Sequence, residues 1–180
     1  VGSLQGLELL ALDSLMRLRP AESRDDRIVL VGIDETDIQK IGYPIPEAEI
    51  IALLKTIETY KPTVIGLNIV WNNSVKSQNR PWLAAPDSPQ NLIAVEKILP
   101  ASDQIPAPSG ISDKRVGFSD IDLDVDGRLR RMRLGVKNPI KPEEYKFSLT
   151  IRLAEAYLTA QNPALLLHNG IRDPFAMRFG

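Results

Sequence analysis

The chain has 180 residues, 43 % of them hydrophobic, which is enough for one well-buried domain and excludes global disorder. Its 22 Lys and Arg against 23 Asp and Glu leave a net charge of -1, so there is no cationic footprint for sequence-independent phosphate binding, and nucleic acid is not an expected partner. Cysteine is absent, which removes disulfides, thiolate nucleophiles and zinc-thiolate sites at once and leaves the compartment open.

The first predicted element is a helix over Leu4 to Arg19, with Leu4, Leu7, Leu9, Leu10, Ala11, Leu12, Leu15, Met16 and Leu18 wrapping more than one face. Such a helix needs burial on two sides. Leu4, Leu7, Ala11, Leu15 and Leu18 form a stripe that suits a helix–helix seam, and its length, about two heptads, predicts a weak homodimer. Pro20 to Asp26 is a charged connector. Arg27 to Trp71 then reads as one β-α-β unit: a strand Ile28–Ile33, an acidic turn Asp34-Glu35-Thr36-Asp37, a helix opened by Pro46-Glu47-Ala48-Glu49 and stopped by Lys61-Pro62, and a second strand Thr63–Trp71. Both strands are continuous apolar runs, the pattern of strands buried on both faces of a parallel sheet. No apolar run approaches the roughly 20 residues that span a bilayer and no signal peptide opens the chain, so it reads either as soluble or as an excised segment.

Residues 72–110 form a loop-rich excursion punctuated by Pro81, Pro86, Pro89, Pro100, Pro106 and Pro108, with one strand expected in Asn91–Leu99. Val116–Val125 and Arg128–Val136 predict a hairpin around Asp126-Gly127. A closing helix is expected over Phe147–Leu158, with everything after Gln161 peripheral. The fold class is therefore α/β: a three-layer-like sheet with a parallel β-α-β core and an antiparallel hairpin at an edge, flanked by N- and C-terminal helices.

Several residue sets carry candidate chemistry. Asp122-Leu-Asp124-Val-Asp126-Gly127 matches the first six positions of a calcium loop, where alternate carboxylates converge on the ion. The twelfth position is Arg133 instead of the bidentate Glu, and the alternation with Ile121, Leu123 and Val125 is that of a strand, so the structural reading is preferred. With Asp126-Gly127 as a two-residue turn, Asp122 faces Arg131 and Asp120 faces Arg133 as cross-strand ion pairs. Asp34, Glu35 and Asp37 sit where the first strand ends, the edge at which open α/β sheets bind ligands, yet the same acids suit the cap of a short helix. Asn68 ends the corresponding run in the second strand. Tyr43, Trp71 and Trp82 are candidates to line an organic-ligand pocket, with core packing an equal explanation for Trp71. His168 is the lone histidine and has no Gly-x-Ser-x-Gly elbow to serve; phosphate-binding glycine loops are likewise missing. No catalytic residue, metal or cofactor is assigned.

Several segments together resemble a CHASE2 domain: residues 7–20 (Leu-Glu-Leu-Leu-Ala-Leu-Asp-Ser-Leu-Met-Arg-Leu-Arg-Pro), the Arg-Ile-Val-Leu-Val-Gly-Ile-Asp run at 27–34, Gly-Tyr-Pro-Ile-Pro at 42–46, Val-Ile-Gly-Leu-Asn-Ile-Val at 64–70, Val-Gly-Phe-Ser-Asp at 116–120 and Asp-Val-Asp-Gly-Arg-Leu-Arg-Arg at 124–131. Gly42–Pro46 stands where family members often carry Trp-Pro-Trp-Pro, and Asn68 where they often carry an Asp, so the resemblance carries over no shared ligand. The resemblance implies an extracytoplasmic ligand-sensing domain of a bacterial membrane receptor, responding to a small-molecule or protein signal. Residues 1–20 would be a juxtamembrane helix, the 1–180 domain would be cut short at its C-terminus, and flanking spans with a kinase or cyclase output would lie outside the chain. The rival from another class is a metal-assisted hydrolase using Asp34, Asp37 and Asn68. A purely structural interaction module is the third reading.

Overall fold

Leucine, alanine, glutamate and arginine are strong helix formers, and they make up most of α1 (Gln5–Leu18), which stops at Arg19 because the residue before Pro20 is forced into the extended region (φ -62°, ψ 132°). This is a computed structural model that describes residues 4–71, 83, 88–169 and 177–179. The chain divides into two compact units, Val1–Pro46 and Glu47–Gly180.

In the first unit, α1 is followed by the charged connector and by α2 (Glu35–Ile41). Asp34 and Asp37 close a reciprocal capping box on α2: the Asp37 N–H donates to Asp34 Oδ1 at 3.0 Å and the Asp34 N–H donates to Asp37 Oδ2 at 3.1 Å. Gly42, at φ +95°, ends the helix by donating its N–H to the Ile38 carbonyl at 2.7 Å. The expected first strand is corrected here. Ile28–Ile33 takes no place in a sheet among the described residues, and its apolar side chains are solvent-exposed, Leu30 by 91 %. An apolar β-branched run favours strand backbone, but a strand exists only where a neighbour takes its N–H and C=O groups, and periodicity does not name that neighbour.

The second unit opens with α3 (Glu47–Thr59), which starts after Pro46 with Glu47 and Glu49 in its first turn and buries Ile50 and Leu54 one turn apart. Lys61 ends it in the left-handed region (φ 52°), and Pro62 prevents resumption. Then come β1 (Ile65–Leu67), β2 (Leu92–Glu96) and β3 (Val116–Phe118), all parallel in the order β1-β2-β3, with Ile65 opposite Leu92 and Ala94 opposite Val116. Every residue of β2 and β3 is buried, as continuous apolar runs in a parallel sheet require. β1 keeps only the centre of the expected Thr63–Trp71 strand.

The hairpin expectation also changes. Val116–Phe118 joins the parallel sheet, whereas β4 (Gly135–Lys137) pairs antiparallel with β5 (Tyr145–Phe147). β5 runs on into a parallel bridge between Ser148 and Phe118, so the hairpin at the sheet edge is β4–β5. Ser148 is buried and caps α4 (Leu149–Gln161), which lies on the sheet with β3 and β2 as its main contacts. A small antiparallel pair, β6 (Leu167–Asn169) with β7 (Met177–Phe179), follows. Phe118, Leu83, Leu92 and Val95 are fully enclosed and form the centre of the core.

Candidate functional site

Parallel strands all point their carboxyl ends the same way, so the residues after β1, β2 and β3 gather on one rim of the sheet, the rim that open α/β folds use for ligands. Two of the three crests are closed by the chain itself. β2 ends in Glu96, whose buried carboxylate accepts from Lys146 Nζ at 2.7 and 3.0 Å. The backbone then bridges Lys97 to Ile105, with N–H to O distances of 2.9 and 2.8 Å in the two directions, and an ion pair joins Lys97 to Asp103. After β3, the Asp120 carboxylate accepts the N–H of Ile98 at 2.9 Å and of Leu99 at 2.8 Å, tying the two crests together. Asp120 therefore serves this rim, and the ion pair of Arg133 is with Asp122.

The crest after β1 is different. Asn68 and Val70 are exposed and Trp71 is half-buried on the same short segment. Trp82 lies outside the described residues. Asp34, Glu35, Asp37 and Tyr43 belong to the first unit, where Asp34 and Asp37 are engaged in the α2 cap and Tyr43 is exposed. His168 is exposed on β6.

The carboxylates of the calcium-like run are taken up by arginines. The tip closes with Asp124 N–H to Arg128 O at 2.9 Å and Gly127 N–H to Asp124 O at 2.8 Å, with Gly127 at φ +75°. That is a three-residue loop with a left-handed glycine, and it shifts the pairing by one residue from a two-residue turn. The ion pairs do not follow that register, because the long arginines reach past the residues opposite them: Asp122 meets Arg133, and Arg131 meets Asp124. Arg130, nearly covered, donates to Asp124 at 3.0 Å and to Asp126 at 2.8 and 2.6 Å, filling with a guanidinium the centre that a cation would need. Hydrogen bonds from Arg131 and then Arg130 hold the Asp124 carboxyl below the usual range, and Arg130 holds Asp126 well below it. Among the described residues no three His, Cys, Asp or Glu side chains converge as a metal set.

Gly127→Val should cost about 1 kcal/mol or more, because a β-branched residue is strained at positive φ. Asp122→Ala removes one half-exposed ion pair and should cost only about 0.2–1 kcal/mol. Urea melts of the two variants check this: similar large losses would mean that the ion pairs, not the turn backbone, hold residues 120–133 together.

Sequence reasoning missed Arg130 and the Glu96–Lys146 pair. Arg130 had a usable signal, its spacing of four from Asp126, whereas Glu96 and Lys146 are fifty residues apart and nothing local links them.

The family model for the CHASE2 domain matches residues 1–179. The chain belongs to the CHASE2 family. No curated protein and no solved structure matches it. CHASE2 domains are sensory domains of receptors, so the chain is a signal-transduction sensor domain. On the rim after β1 the CHASE2 chain carries an exposed amide, Asn68, that can both donate and accept, three residues before the half-buried Trp71. No helix among its described residues is long and apolar enough to cross a membrane.

Proposed function

We propose that this CHASE2 chain is the extracytoplasmic ligand-sensing domain of a bacterial membrane receptor, non-catalytic itself, with a kinase or cyclase output outside the chain. The observation that carries the reading is the family match over residues 1–179. In the second unit the proposed ligand contacts are Asn68 and Trp71; Asp34, Glu35, Asp37 and Tyr43 remain the proposed contacts of the first. The acids of α2 already have a structural use in the capping box, which places more weight on Asn68 and Trp71. The mechanism is population shift: a ligand that binds one of two arrangements better draws the domain toward it, by no more than its differential affinity.

The test is a thermal-shift screen of small organic solutes on the 180-residue chain, followed by Asn68→Ala on any hit. A hit should raise the melting temperature with the logarithm of its concentration above its Kd, and Asn68→Ala should weaken it about tenfold, the equivalent of about 1.4 kcal/mol. Hits untouched by Asn68→Ala and by Trp71→Ala would move the site elsewhere. Topology reporters fused to the parent gene on either side of this segment test the placement, and a reporter active only in the cytosol would overturn it. The hydrolase alternative, with Asp34, Asp37 and Asn68 around a metal, is tested in the same assay with Mg²⁺, Mn²⁺ and Ca²⁺. The expected rise over an ionic-strength control is nil, and a rise above about 3 °C, the size of a 1 kcal/mol effect in a chain this long, would favour the enzyme.

A further inference from the structure

Parallel pairing on β2 ends at Glu96, whose carbonyl accepts the Ser119 N–H at 3.1 Å, and Lys97 exchanges both of its backbone bonds with Ile105. The next two N–H groups, those of Ile98 and Leu99, are left without a backbone acceptor among the described residues. One side chain takes both. Asp120 accepts from Ile98 through Oδ2 at 2.9 Å and from Leu99 through Oδ1 at 2.8 Å, one oxygen for each donor. Successive backbone N–H groups that converge in this way make an anion-binding concavity, and the spacing of this pair is that of a carboxylate.

Two features make the bound carboxylate exchangeable. It has no counter-ion among the described residues, since Arg133 is engaged by Asp122 and Lys97 by Asp103, so another carboxylate on the same donors replaces its bonds one for one. Asp120 and Leu99 are also only half-buried, so solvent reaches the pair. The donors lie on the carboxyl rim of the sheet, and from Leu67 opposite Ala94, counting four residues on along both strands brings Trp71 level with Ile98. We propose that the Ile98–Leu99 amide pair is a carboxylate receptor, that Asp120 is its built-in occupant, and that a small organic carboxylate takes the place of Asp120 on binding. The inference rests on the reading of this rim as the ligand edge and adds the class of the ligand. A tethered side chain competes at an effective concentration on the order of millimolar, so the ligand needs contacts beyond its carboxylate, and Asn68 and Trp71 are the groups on the rim to supply them. Displacing Asp120 cuts the tie between the crests after β2 and β3, which is a change of arrangement that a ligand can select.

Sodium formate is the probe, a bare carboxylate that fits where the Asp120 carboxylate sits, with sodium chloride at equal ionic strength as the control and the backbone amide signals of Ile98 and Leu99 as the readout. Asp120→Ala should bind formate about tenfold more tightly than the wild type or better, because its receptor has no tethered competitor, and the same two signals should move in the wild type at higher formate. Equal affinities, or signals that follow chloride as closely as formate, overturn the receptor. A variant that saturates beside a wild type that never responds makes Asp120 a permanent tie and overturns the exchange. Should Asp120→Ala fail to fold, Asp120→Asn takes its place: its amide oxygen satisfies one of the two donors, and formate must again bind it more tightly than the wild type. A failure here leaves the sensor reading to the topology reporters and to neutral solutes that depend on Asn68, and a failure of those leaves the formate titration standing.

Discussion

Gly117→Ala should cost about 3 kcal/mol or more, whereas Gly66→Ala, one methyl at a similar place on the same sheet, should be close to neutral. The difference lies in what each methyl would meet on α4. A Cβ on Gly117 would sit 2.6 Å from Leu149 Cα and 2.7 Å from Leu149 N, with the Ser148 carbonyl carbon at 3.0 Å. All three are backbone atoms, and they are fixed from both sides. Ser148 gives its N–H to Leu134 O at 2.9 Å, its hydroxyl is the cap that receives the Ile151 N–H, and its carbonyl accepts from Arg152 N at 3.0 Å. Moving Leu149 away breaks that junction or lifts the first turn of α4 off the sheet. The Cβ on Gly66 would instead meet Leu153 Cδ1 at 2.9 Å and Cδ2 at 3.2 Å, the free end of a side chain with other rotamers. Its repacking cost, about 1 kcal/mol, is offset by the 0.4–1 kcal/mol or so that alanine recovers from the unfolded chain. Urea denaturation of both variants separates the cases, and equal costs would show that α4 sits on β1 and β3 with the same freedom.

The same junction shows what was legible in the sequence. The apolar β-branched run of β2 and the alternation of Ile50 and Leu54 on α3 follow from local residue order, and so do the Asp34 and Asp37 cap and the stop at Lys61-Pro62. These depend on residues within a turn of one another. Partners do not. Ile28–Ile33 has the pattern of a two-face-buried strand, yet it stands outside every sheet of the described residues, because composition sets a preference for strand backbone and says nothing of the neighbour. At Asp126-Gly127 the dipeptide announces a turn but not whether the loop holds two residues or three, and the long arginine side chains then pair with carboxylates that do not lie directly opposite them, Arg133 with Asp122 and Arg131 with Asp124. On the rim, Asp120 spends its carboxylate on backbone groups more than twenty residues upstream, a contact that no spacing rule reaches. Asn68 and Trp71 were legible as strand-end residues, which is why the candidate ligand contacts follow the parallel topology.

Lys146→Met should be the most damaging change at the rim, at about 3 kcal/mol, although Lys146 is the more exposed member of its pair. Glu96 keeps 9 % of its side chain exposed and Lys146 keeps 28 %, so removing the lysine strands a covered carboxylate at the end of an entirely buried strand. Glu96→Gln leaves an ammonium that can still reach water, and should cost about 1 kcal/mol. If the loss reflects a stranded charge, it must vanish when the charge is removed as well. Glu96→Leu/Lys146→Met, which replaces the pair by side chains of similar volume, should then lie within about 1 kcal/mol of the wild type and be more stable than Lys146→Met alone. Denaturant melts of the four proteins close the cycle. A double variant as unstable as Lys146→Met would show that the lysine acts through the packing of its aliphatic stem where β5 meets β3, and that the rim tolerates Glu96 without a counter-charge.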